Sequence, residues 1–318
     1  MVTAADSSLG DAYAALVERC GLIDRSERGK LALTGAEAKA FLQGQLTNDI
    51  EALAPGTGCY AAYLTHKGKM LGDVRVLDAG EELLLDCERV ALQDLFTMIR
   101  RFNLGRDVEL HKRTLESGLL SLIGPAARRV AGAGDLPADE HAHRAAELGG
   151  APVRLIATDL GLDVLCAAHD TERVAAALVA AGAEAVSEAA AEIRRVETGR
   201  PRYGVELNDT VIPQEAGLNA RAVSFEKGCY VGQETVARLF YRGKPNRHLR
   251  GLRLSGATEP GAVLRLGERE VGRLASVVDS PAFGRIGLAL VRREAEPGAA
   301  LAVGHDGVRA AVAELPFA

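Results

Sequence analysis

Tryptophan is absent from this 318-residue chain, and aromatic residues make up only 4% of it. A flat stacking partner for a ring-shaped ligand must therefore come from its six tyrosines. Long apolar runs are missing too. None approaches the roughly 18 residues of a membrane-spanning helix, so no membrane association is expected. Cysteine is scarce and scattered: Cys20, Cys59, Cys87, Cys166 and Cys229 are odd in number, and no two are spaced as Cys-x-x-Cys. That excludes a zinc ribbon or a disulfide framework and a permanently held four-cysteine cluster. A reducing, cytoplasmic setting fits best. Met1 to Gly10 holds Asp6 and no basic cluster, so it does not read as a signal peptide. Gly56-x-Gly58 lacks the third glycine and the long helix of a dinucleotide-binding turn. No internal repeat is evident.

What is present is ordinary globular material. Hydrophobic residues are 47% and charged residues 25%, enough for a sizeable core, and the length suggests two or three domains. Hydrophobic spacing predicts a helix over 12–20, a strand over 30–33 and a helix opening at Thr34, where Thr34-x-x-Glu37 has the form of a capping box. Strands are predicted over 60–64, 69–77, 82–86 and 108–112, with a helix over 88–102. Further on come a strand over 119–123, a short helix opened by Pro125, an irregular excursion over 131–150, a hairpin pair at 153–157 and 162–167, and helices over 172–181 and 188–197. After Gly243-Lys244-Pro245, short apolar runs alternate with glycine-rich turns, the spacing of a small barrel or sandwich. A domain boundary is placed there, dividing 1–244 from 245–318.

Net charge is -5, which argues against a dedicated nucleic-acid binder. The charge is unevenly spread: Arg238, Arg242, Lys244, Arg247, Arg250 and Arg253 follow one another with no intervening acid. This stretch meets either an anionic partner or only solvent. His141-x-His143 has no carboxylate or cysteine set to complete a metal site.

The most informative segment is Lys227-Gly228-Cys229-Tyr230-Val231-Gly232-Gln233-Glu234. A thiolate is the reactive form of cysteine, and a neighbouring cation such as Lys227 favours it. Gly228 and Gly232 permit tight backbone geometry. The alternative is a small apolar cysteine buried in a turn.

Three segments together resemble the folate-binding family that contains the glycine-cleavage T-protein and its YgfZ-type relatives. They are Leu33-Thr34-Gly35 through Phe41-Leu42-Gln43-Gly44-Gln45-Leu46-Thr47-Asn48-Asp49; Leu64-Thr65-His66-Lys67-Gly68-Lys69-Met70 through Asp73; and Arg195-Val196-Glu197-Thr198-Gly199 through Pro213-Gln214-Glu215-Ala216-Gly217-Leu218 to the cysteine octet and Arg238. The octet points to the YgfZ branch. The resemblance implies an α+β fold, a multi-domain ring in which 1–244 form a discontinuous N-terminal domain and a ferredoxin-like domain, and 245–318 a β-barrel. It also implies a tetrahydrofolate pocket in the central opening. Glu197 sits where such proteins place the glutamate that binds the pterin, and a carboxylate suits that ring's donor edge. Arg28, Arg238 and Arg242 are candidates for the anionic tail, and Tyr60, Tyr63, Tyr203 or Tyr230 for stacking. Asn48 and Gln233, in the matched segments, complete the candidate folate contacts. Cys229, Lys227 and Asp73 are the candidate chemical residues. T-proteins carry an Asp-Asp pair where this chain has Gly72-Asp73, and glycine supplies no acid.

The resemblance therefore implies a folate-using accessory protein, a monomer supporting iron–sulfur proteins or their assembly factors and, through them, tRNA-modifying enzymes. The alternative is a folate-dependent aminomethyltransferase. A detached folate domain of a sarcosine-type oxidase ranks last, because no flavin-binding segment is present.

Overall fold

The computed structural model describes residues 8–305 and 307–318. Of the N-terminal stretch read as carrying no signal peptide, residues 1–7 lie outside the described residues. The chain separates into two compact units. One takes the described residues of Met1–Tyr63 with Gly72–Ala191 and Glu226–Tyr230; the other takes Leu64–Leu71, Glu192–Phe225 and Val231–Ala318.

In chain order the first elements are α1 (Leu9–Glu18), β1 (Gly21–Asp24), β2 (Gly29–Thr34), α2 (Ala38–Gln45), β3 (Gly58–Leu64), β4 (Met70–Asp78), β5 (Leu83–Cys87), α3 (Leu92–Phe102) and β6 (Glu109–Lys112). They are followed by β7 (Ser117–Ile123), α4 (Ala127–Val130), β8 (His143–Leu148), β9 (Ala151–Thr158), β10 (Gly161–Ala167), α5 (Thr171–Ala180), β11 (Glu184–Ala185) and α6 (Glu188–Glu197). The strands assemble a five-stranded sheet ordered β3-β4-β5-β2-β6 and a six-stranded sheet ordered β11-β1-β7-β10-β9-β8.

A chain of buried charges joins the two sheets. Arg75 on β4 donates to Asp163 on β10 at 2.6 Å and contacts Asp86 on β5 at 2.7 Å, and Ser121 on β7 donates to the other oxygen of Asp163 at 2.6 Å. The half-buried Arg28 extends the set through Asp86 at 2.8 Å and the half-buried Glu88. Buried charges persist when each has a partner, and removing one partner strands the others.

The second unit holds α7 (Asn219–Ala222), α8 (Gln233–Arg242) and six strands: β12 (Arg247–Leu254), β13 (Val263–Leu266), β14 (Arg269–Ser280), β15 (Gly284–Arg292), β16 (Ala300–Val303) and β17 (Val308–Ala313). The strands close into a barrel ordered β12-β15-β14-β13-β16-β17. Alternate residues point inward: Leu252, Leu264, Val271, Leu274, Val291, Leu301 and Val303 pack its core. Register shifts at Leu264/Arg265 and Leu274/Ser276 give the bends that closure requires. Among the described residues no helix is long and apolar enough to cross a membrane.

Two local expectations are corrected. The capping box at Thr34 does not form: Thr34 ends β2 with its hydroxyl 2.8 Å from His111 Nε2, and Glu37 instead accepts from the Asp107 N–H at 2.6 Å. The helix starts only at Ala38, because tertiary partners outcompete the local cap. The 131–150 excursion contains β8, which pairs with β9 in register from His143↔Ile156 to Leu148↔Ala151; its short side chains hid the strand pattern. No element is predicted for the segment that closes the octet and follows it, which forms the helix α8.

Candidate functional site

The loop carrying Cys229 is held by its neighbour. Lys227 is only 8% exposed. Its ammonium donates to the carbonyls of Gln43, Leu46 and Asn48 at 2.6, 2.7 and 2.8 Å. Those carbonyls converge because the turn after α2 is fixed by its own side chains. The Gln43 amide oxygen accepts from the Ile50 N–H at 2.7 Å and its nitrogen donates to Asp49 at 2.9 Å. The Asn48 side chain accepts from the Asp49 N–H at 2.9 Å and donates to the Tyr60 carbonyl at 2.8 Å. The first and third matched segments thus interlock: one builds a carbonyl cage, the other supplies the cation that fills it.

This corrects the role expected of Lys227. An ammonium has three donors, and all are spent on carbonyls, so none remains for the Cys229 thiolate. Burial lowers the Lys227 ammonium to about 8, with Asp49 offsetting part of the effect. The cation also lies 5.2 Å from the centre of the Tyr230 ring. Tyr230 is buried, and burial alone pushes its hydroxyl up to about 12.

Cys229 itself is exposed, while Cys20, Cys87 and Cys166 are buried and Cys59 is half-buried. Burial pushes the Cys59 thiol up to about 12, against the pull of the Lys227 charge. The octet glycines differ. Gly232 has φ +86°, and a Cβ there would lie 2.5 Å from the Thr65 carbonyl oxygen, so only glycine starts α8 in this way. At Gly228 a Cβ would meet nothing within 4 Å, and its φ is not in the left-handed region. Its missing side chain leaves open space next to the Cys229 residue.

Asp73 lies at the far end of a short connected path: Lys227 binds the Asn48 carbonyl, Asn48 binds the Tyr60 carbonyl, and the Tyr60 hydroxyl donates to Asp73. The Asp73 carboxyl is pushed up to about 6, first by burial and then by Glu88, against the Tyr60 hydrogen bond and Arg28. Its folded affinity for a proton exceeds that of an unfolded aspartate, whose pKa is about 3.9. The group therefore favours folding below about pH 4, and that contribution is lost as pH rises through about 6. Asp73→Asn removes the charged form. Urea melts should show the variant gaining about 3 kcal/mol on the parent between pH 4 and pH 8; parallel pH profiles would contradict the assignment.

Gly72 is closed rather than vacant. A Cβ built there would lie 2.3 Å from the Tyr63 hydroxyl and 2.5 Å from its ring. Tyr63 is 1% exposed and donates to the Ala91 carbonyl at 2.6 Å. It is a core residue, and its expected role as a stacking wall for a ligand is corrected. Arg28 is corrected likewise: it is spent on Asp86 and Glu88, not free for an anionic tail. Asn48 serves as the loop clasp already described.

The remaining candidates lie in the second unit. Glu197, 2% exposed, ends α6; its carboxylate accepts from Ser280 at 2.6 Å and from Arg194. The Arg194 Nε beside it is buried with no hydrogen-bond partner. Tyr203 is half-buried, Gln233 opens α8, and Arg238 is exposed on the same helix.

Sequence reasoning missed Arg194, although its i,i+3 spacing from Glu197 on a helix was legible. It also missed the carbonyls of Gln43 and Leu46, which leave no side-chain signal. No group of three or more potential metal ligands occurs among the described residues. His143 is instead held by Arg154 at 2.8 Å, and burial lowers its imidazole to about 4.

Known proteins share this architecture. Residues 3–227 match the model of the GCVT N-terminal domain family. An aminomethyltransferase of Rubrobacter xylanophilus is 31% identical over 316 residues, covering 96% of this chain and 85% of the relative. One of Thermus thermophilus is 32% identical over 324 residues, covering 98% and 90%. Among solved structures, the glycine cleavage system aminomethyltransferase T of Bartonella henselae superposes with a TM-score of 0.88 at 22% identity, covering 100% of this chain and 91% of that one. That likeness concerns the fold.

Proposed function

Because this chain belongs to the GCVT N-terminal domain family, we propose that it binds a reduced folate and acts as an accessory protein through Cys229. The observation that carries the reading is the exposure of Cys229 on a loop locked by the buried Lys227 cage. Gly72 supports it: the position matching one member of the T-protein aspartate pair has neither a carboxylate nor room for one.

In this reading Glu197 accepts from the pterin, Arg194 donates to it through Nε, and Tyr203, Gln233 and Arg238 are further contacts. Bound, the folate supplies a nitrogen able to carry one carbon. Cys229 meets the partner either by taking sulfane sulfur from a persulfide donor, which leaves as a thiol, or by exchange with a partner disulfide, whose second sulfur leaves as a thiolate. The partners proposed are iron–sulfur proteins or their assembly factors, with tRNA-modifying enzymes served indirectly, and the protein works as a cytoplasmic monomer.

The test joins binding to cellular function. Calorimetric titration with tetrahydrofolate should show binding to the parent chain, roughly tenfold or more weakened in Glu197→Gln, which keeps the shape of the buried side chain but loses its charge-assisted acceptor. Cys229→Ser should bind folate like the parent yet fail to complement a deletion strain. Full complementation by Cys229→Ser, or equal folate affinity in Glu197→Gln, rejects the corresponding half of the proposal.

A second reading, aminomethyl transfer to tetrahydrofolate, is favoured by the names of the relatives at 31% and 32% identity. Incubation with tetrahydrofolate and an aminomethylated lipoyl carrier separates the two. Methylene-tetrahydrofolate formed at catalytic rates selects the transferase.

A further inference from the structure

We propose that the C-terminal half of α8, together with Phe225, is a docking surface for an acidic segment of a partner protein. Apart from Arg238, which the two share, the inference stands on residues separate from the folate reading. It starts from the basic stretch Arg238 to Arg253, which the fold divides into two sets.

Arg247, Arg250 and Arg253 lie on β12, and each is occupied. Arg247 donates to both oxygens of Glu215 at 3.0 and 2.8 Å, and Arg250 to Glu314 at 3.0 Å. Arg253 donates to the Ala318 main-chain oxygen at 2.8 Å and lies 5.6 Å from the ring centres of Phe283 and Phe317. Arg238 and Arg242 on α8, and Lys244 just beyond it, are exposed. None of these three forms a hydrogen bond or ion pair with the described residues.

The side chains interleaved with those free cations are aromatic. Phe240 is 46% and Tyr241 66% exposed. Phe240 stacks on Phe225 with ring centres 3.7 Å apart, and Tyr241 meets them edge-on at 5.0 and 6.3 Å. Exposed aromatic clusters are the composition of interface centres rather than of bare surface.

Charge selects the occupant. Three unpaired cations with no adjacent acid between Arg238 and Arg253 call for an anionic partner. A nucleic acid fits less well. The chain carries net charge -5, and a few phosphate contacts release few counterions. Phe225 and Phe240 have also spent one face each on the other, which leaves less ring area for stacking successive bases. A polypeptide with acidic side chains flanking an apolar one satisfies both the cations and the rings.

The experiment uses the full chain and fluorescence anisotropy with a labelled peptide alternating glutamate and leucine. An oligo(dT) of equal charge serves as the competing class. The variants are Arg242→Glu/Lys244→Glu and, separately, Phe240→Ser; Arg238 is left intact because it is a candidate folate contact. The peptide should bind the parent in a salt-sensitive manner. The double reversal should weaken it about tenfold or more and Phe240→Ser about fivefold, with thermal melting unchanged. Four outcomes overturn the proposal: no peptide binding to the parent, equal binding by the variants, tighter binding of oligo(dT), or parent self-association in sedimentation velocity that both variants abolish.

Discussion

Lys227→Met should destabilise the protein by about 3–5 kcal/mol and free the Cys229 loop. The expectation follows from what the lysine touches. Three buried carbonyls lose their charged donor at once, and hydrogen bonds to charged groups are worth about 1.5–3 kcal/mol each, with part of the loss recovered by relaxation. Methionine approximates the length of the lysine stem, so the loss is mainly polar rather than a cavity. Lys227→Arg should do little better. A planar guanidinium cannot aim three donors into a cage spaced for a compact ammonium. Chemical denaturation measures the stability term. Hydrogen exchange measures the local one, with amides of 46–50 and 227–230 exchanging faster in both variants. Parent-like stability in Lys227→Met would mean that the cage is incidental. Restored stability in Lys227→Arg would mean that charge alone matters.

Gly72→Asp should cost about 3 kcal/mol or more and create no transferase. The new Cβ would sit 2.3 Å from the Tyr63 hydroxyl, and Tyr63 is 1% exposed and tied to the Ala91 carbonyl. It cannot swing aside without breaking a buried hydrogen bond and opening packed core, the situation in which overpacking is expensive. The added carboxylate also brings a charge into a buried position. Gly72→Ala separates the two costs, since alanine adds the clash without the charge. Its penalty should shrink in a Tyr63→Leu background, which a double-mutant cycle reads directly. A penalty for Gly72→Ala below about 0.5 kcal/mol, typical of unconstrained sites, would show that the pocket gives way easily and that the missing aspartate says little about function.

Much of the molecule was legible in the residues. The six barrel strands stood out because turns punctuate them and short apolar runs fill them, and the runs after Pro245 fall on β12 to β17. The helix over 188–197 was readable from its spacing and coincides with α6. The cysteine octet stood out as composition, and Cys229 is exposed rather than buried in a turn. The failures share a cause. Thr34, Tyr63 and Arg28 were each judged by side-chain chemistry, and in each case a distant partner claimed the group first: His111, the Ala91 carbonyl, and Asp86 with Glu88.

Sequence alone determined the periodicities, the scarcity of cysteine and the pairing of a lone thiol with glycines and a lysine, because those are properties of neighbours along the chain. Tertiary structure alone decided that Lys227 faces carbonyls some 180 residues upstream rather than the thiol beside it. It also decided that Gly72 is filled by a tyrosine ring, and that half of one basic run is paired while the other half stands free. Burial and long-range pairing set the free energy of each polar group, and neither is written in local order.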